Sequence, residues 1–270
     1  MGIPKVKIAW FGKHFGEEPP LAGNKNQGAG GIFFSGCNLR CVFCQNFQIS
    51  QEGIGKEYSV GELAKMMIDL QTQGAINVDL VTPTIWWKQI KEAIPLAREQ
   101  GLKIPIVWNS NAYENTEILK EMKGLIDIYL PDFKYADDEI GFRYSGIRKY
   151  SEIATKAILE MLDQVGNFDT EQGRGVIVRH LVLPNNLENS FAILDSLSKI
   201  DKNIFMSLMS QYFPMHKAEN FPEINRALTD EEFDKVYDKL VDLGFKNGWV
   251  QDKESQQVMI PNFNKSDPFN

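Results

Sequence analysis

Thiols are scarce in this sequence: it has three cysteines in 270 residues, and only three histidines. An odd count of that size in a large chain excludes a disulfide framework. No apolar run approaches the length that crosses a bilayer, and the stretch from Val6 to Phe11 is too short for the hydrophobic region of a secretory leader. The expected location is therefore cytoplasmic, with no membrane partner. Basic charge is in deficit as well. A net charge of -7 argues against a nucleic-acid backbone as partner, because such binding rests on Lys and Arg neutralising phosphates. The glycine-rich run Ala22 to Gly31 lacks GxxxxGK and precedes a predicted strand instead of following one, so it reads as a loop and not a phosphate cradle. What remains is an ordinary globular composition, 43% hydrophobic, on a chain long enough for one large core. The expectation is a single domain over 1–270, with a lead-in over 1–30, a core region over 31–250 and a polar, loosely ordered tail over 251–270.

The cysteines are not scattered as unrelated core cysteines would be. Cys37, Cys41 and Cys44 form the pattern CxxxCxxC directly after a short apolar run. Structural zinc closes a tetrahedron with four protein ligands, so it would need His14, His180 or His216 as the fourth, and there is no second cysteine knuckle. An iron-sulfur cubane takes thiolates and, when only three hold it, keeps one iron open to another ligand. Zinc and inert thiols stand as the alternatives.

Periodicity places these residues on a repeated unit. Strands are predicted at Gly31 to Ser35, Ile76 to Val81, Ile104 to Asn109, Ile126 to Lys134, Val176 to Leu183 and Ile204 to Tyr212. Helices follow each: Val60 to Gln73, a segment carrying Ile90, Ala93, Ile94 and Ala97 with Pro95 kinking it, Asn115 to Lys123, Ser151 to Val165, Leu187 to Lys199, and Thr229 to Leu243. Ser59 with Glu62, and Thr229 with Glu232, read as capping boxes. Six β-then-α units imply a parallel sheet with right-handed crossovers, and are too few for a closed eight-stranded barrel. The cysteine loop sits at the C-terminal end of the first of these strands, where such folds place their chemistry. Glu17 and Glu18, beside Pro19 and Pro20, read as solvated loop carboxylates.

The run Phe33 to Asn46, with Gly36, Arg40 and the aromatic Phe43 before the last cysteine, resembles the radical S-adenosylmethionine (SAM) superfamily, and within it the pyruvate formate-lyase activating enzymes. The resemblance implies an α/β fold built as a partial, laterally open (β/α)6 barrel. It also implies a 4Fe-4S cluster on Cys37, Cys41 and Cys44, whose open iron chelates the amino and carboxylate groups of SAM. One electron would then break the bond from sulfur to the ribose C5′, and the resulting 5′-deoxyadenosyl radical would take hydrogen from a substrate. Phe43 would pack near the adenine.

Strand parity ranks the remaining candidates. Ile126, Ile128, Leu130, Asp132 and Lys134 share a face, so a carboxylate and an ammonium end an apolar row; a weak surface ion pair is the plain alternative. The run Leu-Pro-Asp-Phe-Lys resembles the activases' fourth-strand motif, which implies that Asp132 meets the ribose hydroxyls and Lys134 the methionine carboxylate. Asn109 and Ser110 stand where activases carry Asp-Thr, so the amide supplies one negative charge fewer, and the activases' monovalent cation site is in question. Thr82 and Thr84 replace the Gly-Gly-Glu that often binds the methionine ammonium. Gln211 or Tyr212 replaces the activases' sixth-strand histidine. Arg179 matches a fifth-strand motif and, if it points inward, needs a carboxylate partner; His180, on the opposite face, reads as structural. The resulting expectation is an oxidoreductase with a 4Fe-4S cluster and SAM as cofactors and a flavodoxin- or ferredoxin-like electron donor. Its substrate would be a glycyl-radical protein, with a small molecule or another protein side chain as the alternative. A non-catalytic iron-sulfur or zinc protein is the rival class. With no cysteine outside the triad, auxiliary clusters with cysteine ligands are excluded.

Overall fold

The computed structural model describes residues 5–24, 27–250 and 260–269. Strand β1 (Lys5–His14) pairs antiparallel with both β2 (Ala29–Phe34) and β3 (Lys56–Ser59). From β2 onward the chain places β4 (Val78–Val81), β5 (Ile106–Ser110), β6 (Ile128–Pro131), β7 (Gly175–Leu181), β8 (Phe205–Met209) and β9 (Gly248–Val250) side by side, every neighbouring pair parallel. The order is β3-β1-β2-β4-β5-β6-β7-β8-β9, and among the described residues its two ends do not pair, so the sheet is open. Nine helices are described: α1 (Pro19–Ala22), α2 (Phe47–Ser50), α3 (Val60–Thr72), α4 (Trp87–Glu99), α5 (Thr116–Glu121), α6 (Asp138–Ser145), α7 (Tyr150–Val165), α8 (Leu187–Ile200) and α9 (Asp230–Asp242).

Local chemistry explains the helix limits. Ser59 and Thr229 each accept a bond from the backbone three residues on while Glu62 and Glu232 bond back, completing both capping boxes. Pro95 lies inside α4, which runs through it to Glu99. The buried stripe Leu63, Met66, Met67 and Leu70 sets the inner face of α3.

Because side chains alternate along a strand, the sheet buries apolar side chains on both faces. Leu80, Trp108, Tyr129 and Val178 join the cluster that includes the helices. On the other face Val107, Ile128, Leu130 and Ile177 meet Leu21 of α1 and Phe168, so the N-terminal segment plugs the inside of the curl. The Asn77 side-chain amide donates to the Leu21 carbonyl at 2.8 Å and fixes that plug. Burying the Leu21 side chain contributes roughly 1.5–3 kcal/mol.

All six expected strands are present. Three further ones were not expected. The lead-in forms β1, because Val6 and Ile8 bury against the sheet while their neighbours stay half-exposed. β3 and β9 are too short for a sequence pattern to mark. α6 was also missed. The expected loose tail lies outside the described residues over 251–259. Over 260–269 the chain packs instead: Phe263 is buried, and Phe269 meets Trp10, His14 and Phe33.

Candidate active site at the strand ends

The cysteine loop leaves β2 through Ser35, whose N–H bonds the Lys7 carbonyl at 2.9 Å. It then turns at Gly36, where φ is +88° and a Cβ would come 2.7 Å from the Ile85 side chain. The last turn of α6 grips the loop from outside: the Tyr144 carbonyl accepts from Val42 N at 2.8 Å and the Ser145 carbonyl from Arg40 N at 3.2 Å. Each sulfur meets a polar group. Cys37 Sγ accepts from Leu39 N at 3.3 Å and from the Asn111 amide at 3.4 Å. Cys41 Sγ accepts from Ser145 Oγ at 2.9 Å, and Cys44 Sγ lies 3.3 Å from Ser50 Oγ.

Facing the thiols is a charged network. Arg179 Nε donates to Asp132 Oδ1 at 2.7 Å, Nη1 to Glu17 Oε2 at 3.1 Å and Nη2 to Asn109 Oδ1 at 2.5 Å. Lys134 Nζ donates to Asp132 Oδ2 at 2.7 Å. The Glu17, Asp132, Lys134 and Arg179 side chains are 10–17% exposed, so the surface-pair alternative for Asp132 and Lys134 fails. Burial alone would raise the Asp132 carboxyl, but Arg179 and Lys134 together hold it below the ordinary value. Burial likewise opposes the Lys134 ammonium, and Asp132 more than compensates. Behind Arg179 the trend reverses: burial pushes up Glu17, Glu18 and Asp79. Asn109 bridges the two sides, its amide nitrogen donating to Asp79 Oδ2 at 3.2 Å. Thr82 closes β4 at φ +60°, a costly conformation for a β-branched residue that points to a constrained site.

Cys37, Cys41, Phe43, Cys44, Thr82, Asn109, Ser110, Asp132, Lys134, Arg179 and Gln211 all line one cavity of about 240 Å³. Thr84 does not. After Pro83 the chain enters a 3-10 turn, and Thr84 Oγ1 donates to the buried Glu114 at 2.8 Å, beside a separate hollow of about 560 Å³ that Asn38 and Tyr113 also line. Glu17 and Glu18 are buried in the cavity wall instead of being solvated. His14, named from the sequence only as a zinc candidate, lines the cavity as well, and sequence reasoning missed Asp79, Ser145 and Phe269. Asp79 alone left a signal, a carboxylate inside the otherwise apolar Val-Asp-Leu-Val of β4.

The donor set suits thiolate ligands of an iron-sulfur cluster. N–H and O–H groups are directed at sulfur, while burial and then the Cys41 charge push Cys37 up to about 11 and Cys44 up to about 12. Zinc suits it less. Among the described residues no group of three His, Cys, Asp or Glu is arranged to hold a single ion. His180 is taken up by the Phe133 carbonyl and Ser190, as its structural reading requires. His14 meets Phe269 at a tilt of 39°, and His216 stacks on Phe47. Burial first, then Arg179, lowers His14 to about 4, so it is neutral at pH 7.

A family profile described as the Radical SAM superfamily matches residues 32–196. An uncharacterized protein of Methanocaldococcus jannaschii is 36% identical over 248 residues, which cover 87% of this chain and 68% of that protein. A pyruvate formate-lyase-activating enzyme of Clostridium pasteurianum is 27% identical over 68% of this chain and 74% of its own length. In fold, the chain is similar to Streptococcus suis SuiB bound to S-adenosylmethionine (TM-score 0.58, 14% identity, 82% of this chain) and spans 49% of that chain. It is also similar to a radical SAM methyltransferase from Sphaerobacter thermophilus (TM-score 0.59, 13% identity, 91% of this chain and 70% of that one). Among the described residues no helix is long and apolar enough to cross a membrane.

Proposed function

The chain belongs to the radical SAM superfamily, and on that premise we propose that it is a single-domain oxidoreductase whose bound 4Fe-4S cluster and S-adenosylmethionine supply a one-electron reductive cleavage yielding a hydrogen-abstracting 5′-deoxyadenosyl radical. The observation that carries this reading is the convergence of three thiols with Asp132, Lys134 and Arg179 on one cavity at the C-terminal ends of parallel strands. Cys37, Cys41 and Cys44 hold the cluster. Asp132, kept ionised by its two cations, accepts from the ribose hydroxyls, and Lys134 binds the methionine carboxylate. Arg179 orients Asp132 and Asn109 at once. Asn109 keeps one carbonyl lone pair for the methionine ammonium, beside Ser110 and Thr82. Phe43, locked edge-on against Tyr212 at 5.7 Å, covers the adenine side, while Leu181 and Met209 exclude water.

The proposed substrate is a glycyl-radical protein, in line with the resemblance to the pyruvate formate-lyase-activating enzyme of Clostridium pasteurianum, with a small molecule or another protein side chain as the alternative. The proposed reductant is a flavodoxin- or ferredoxin-like protein. The test is anaerobic reconstitution with iron and sulfide, addition of dithionite and SAM, and quantification of 5′-deoxyadenosine beside Cys37→Ala. Product that requires the cysteine is the expected result. A wild-type protein that takes up zinc and no iron-sulfur cluster would overturn the reading.

A further inference from the structure

Cys41 stands apart from the other two cysteines in what reaches its sulfur. Ser145 Oγ donates to Cys41 Sγ at 2.9 Å, and Tyr135 Oη lies 2.6 Å from the same Ser145 oxygen. Ser145 is 1% exposed and Tyr135 is fully buried. A serine hydroxyl has one proton; since it points at sulfur, the proton in the short contact is the phenol's, and the chain runs Tyr135 to Ser145 to Cys41.

We propose that Ser145, supported by Tyr135, is a positioning residue that raises the reduction potential of the iron-sulfur cluster through its hydrogen bond to Cys41. The inference rests on the cluster assignment of the preceding subsection. Three features build the device. Ser145 is the last residue of α6, and the helix is stopped there by Gly146 in the left-handed conformation. The carbonyls of Tyr144 and Ser145 bond the amides of Val42 and Arg40, on either side of Cys41, so the hydroxyl cannot drift relative to the sulfur. Tyr135 is itself held edge-on against Tyr150 at 5.2 Å.

Reduction adds one negative charge to a cluster whose charge spreads onto its thiolate sulfurs. A donor aimed at one of those sulfurs favours the reduced form more than the oxidised form, and the potential rises. Burial strengthens the effect, because water does not screen it and the two hydroxyls polarise each other in series. The donors at Cys37 are longer, at 3.3 and 3.4 Å, so Ser145 makes the shortest such contact in the triad.

The experiment is an EPR-monitored redox titration of wild type, Ser145→Ala, Ser145→Thr and Tyr135→Phe, each first shown by iron and sulfide content to hold a 4Fe-4S cluster. Ser145→Ala is expected to shift the potential to more negative values, Tyr135→Phe to shift it in the same direction by less, and Ser145→Thr, which keeps the hydroxyl, to stay near wild type. A full cluster titrating at the wild-type potential in Ser145→Ala overturns the inference and leaves the cluster assignment intact. Wild type without a 4Fe-4S cluster overturns both. Should Ser145→Ala fail to load, Tyr135→Phe decides, and an unchanged potential there counts against the inference.

Discussion

Arg179 is the residue on which the polar half of the cavity depends. It touches Asp132, Glu17 and Asn109 from three different parts of the chain, and its side chain is 13% exposed. Taking away one member of a buried ion network leaves the others without compensation, at a cost of roughly 3–5 kcal/mol. Arg179→Met is therefore expected to lose stability of about that size in urea unfolding at pH 7 and to bind SAM more weakly; a loss below about 1 kcal/mol would place the guanidinium in a solvated position. Asp79 predicts a pH effect of definite sign. Burial, then the neighbouring Glu17 charge, push its carboxyl well above the ordinary 3.8. Unfolding restores 3.8, so the folded state keeps a proton that the unfolded chain releases. The resulting stability is complete below that pH and is lost as pH climbs toward the folded value. Asp79→Asn should remove this dependence, and thermal unfolding followed from pH 4 to neutrality should show the variant gaining on wild type as pH rises. A gap constant with pH would mean that Asp79 is ionised throughout.

At the scale of elements, α1 has a role out of proportion to its four residues. Leu21 is 1% exposed and completes the inner core with Val107, Ile128, Leu130 and Ile177. Leu21→Ala is expected to cost about 2–5 kcal/mol, measured as a lower urea midpoint at unchanged m-value. The sequence could not announce this. Pro19-Pro20-Leu21 carries no periodicity, and the partners of Leu21 come from three later strands. The same reason hid Glu17 and Glu18, whose burial is a product of where the β1–α1 connection lands. Cys37, Cys41, Cys44, Asp132, Lys134 and Arg179 were legible because local rules place them: a fixed ligand spacing, or a polar residue ending an apolar parity row. Ser145 was not, since 104 positions separate it from Cys41 and α6 left no pattern strong enough to be read. Thr84 misled for the opposite reason: it sits at the right distance past a strand, yet the turn after Pro83 commits its hydroxyl to Glu114, away from the cavity.

For the whole molecule, the parallel strands β2 to β9 are joined by local crossovers, while the cavity wall draws on the two most distant parts of the described chain. Trp10 meets Phe269 at 5.2 Å between ring centroids, His14 meets Phe269 at 4.5 Å, and Phe33 meets Phe263 at 5.7 Å. Contacts between residues close in sequence cost little loop entropy, whereas one joining residue 10 to residue 269 closes nearly the largest loop available. Folding order follows from that difference. The strand-helix units are expected to assemble progressively and the aromatic closure of the cavity to complete last, with the thiols at the end of β2 positioned before they are walled in. Under the proposed cluster assignment, that interval is when an iron-sulfur donor would have its widest access to them.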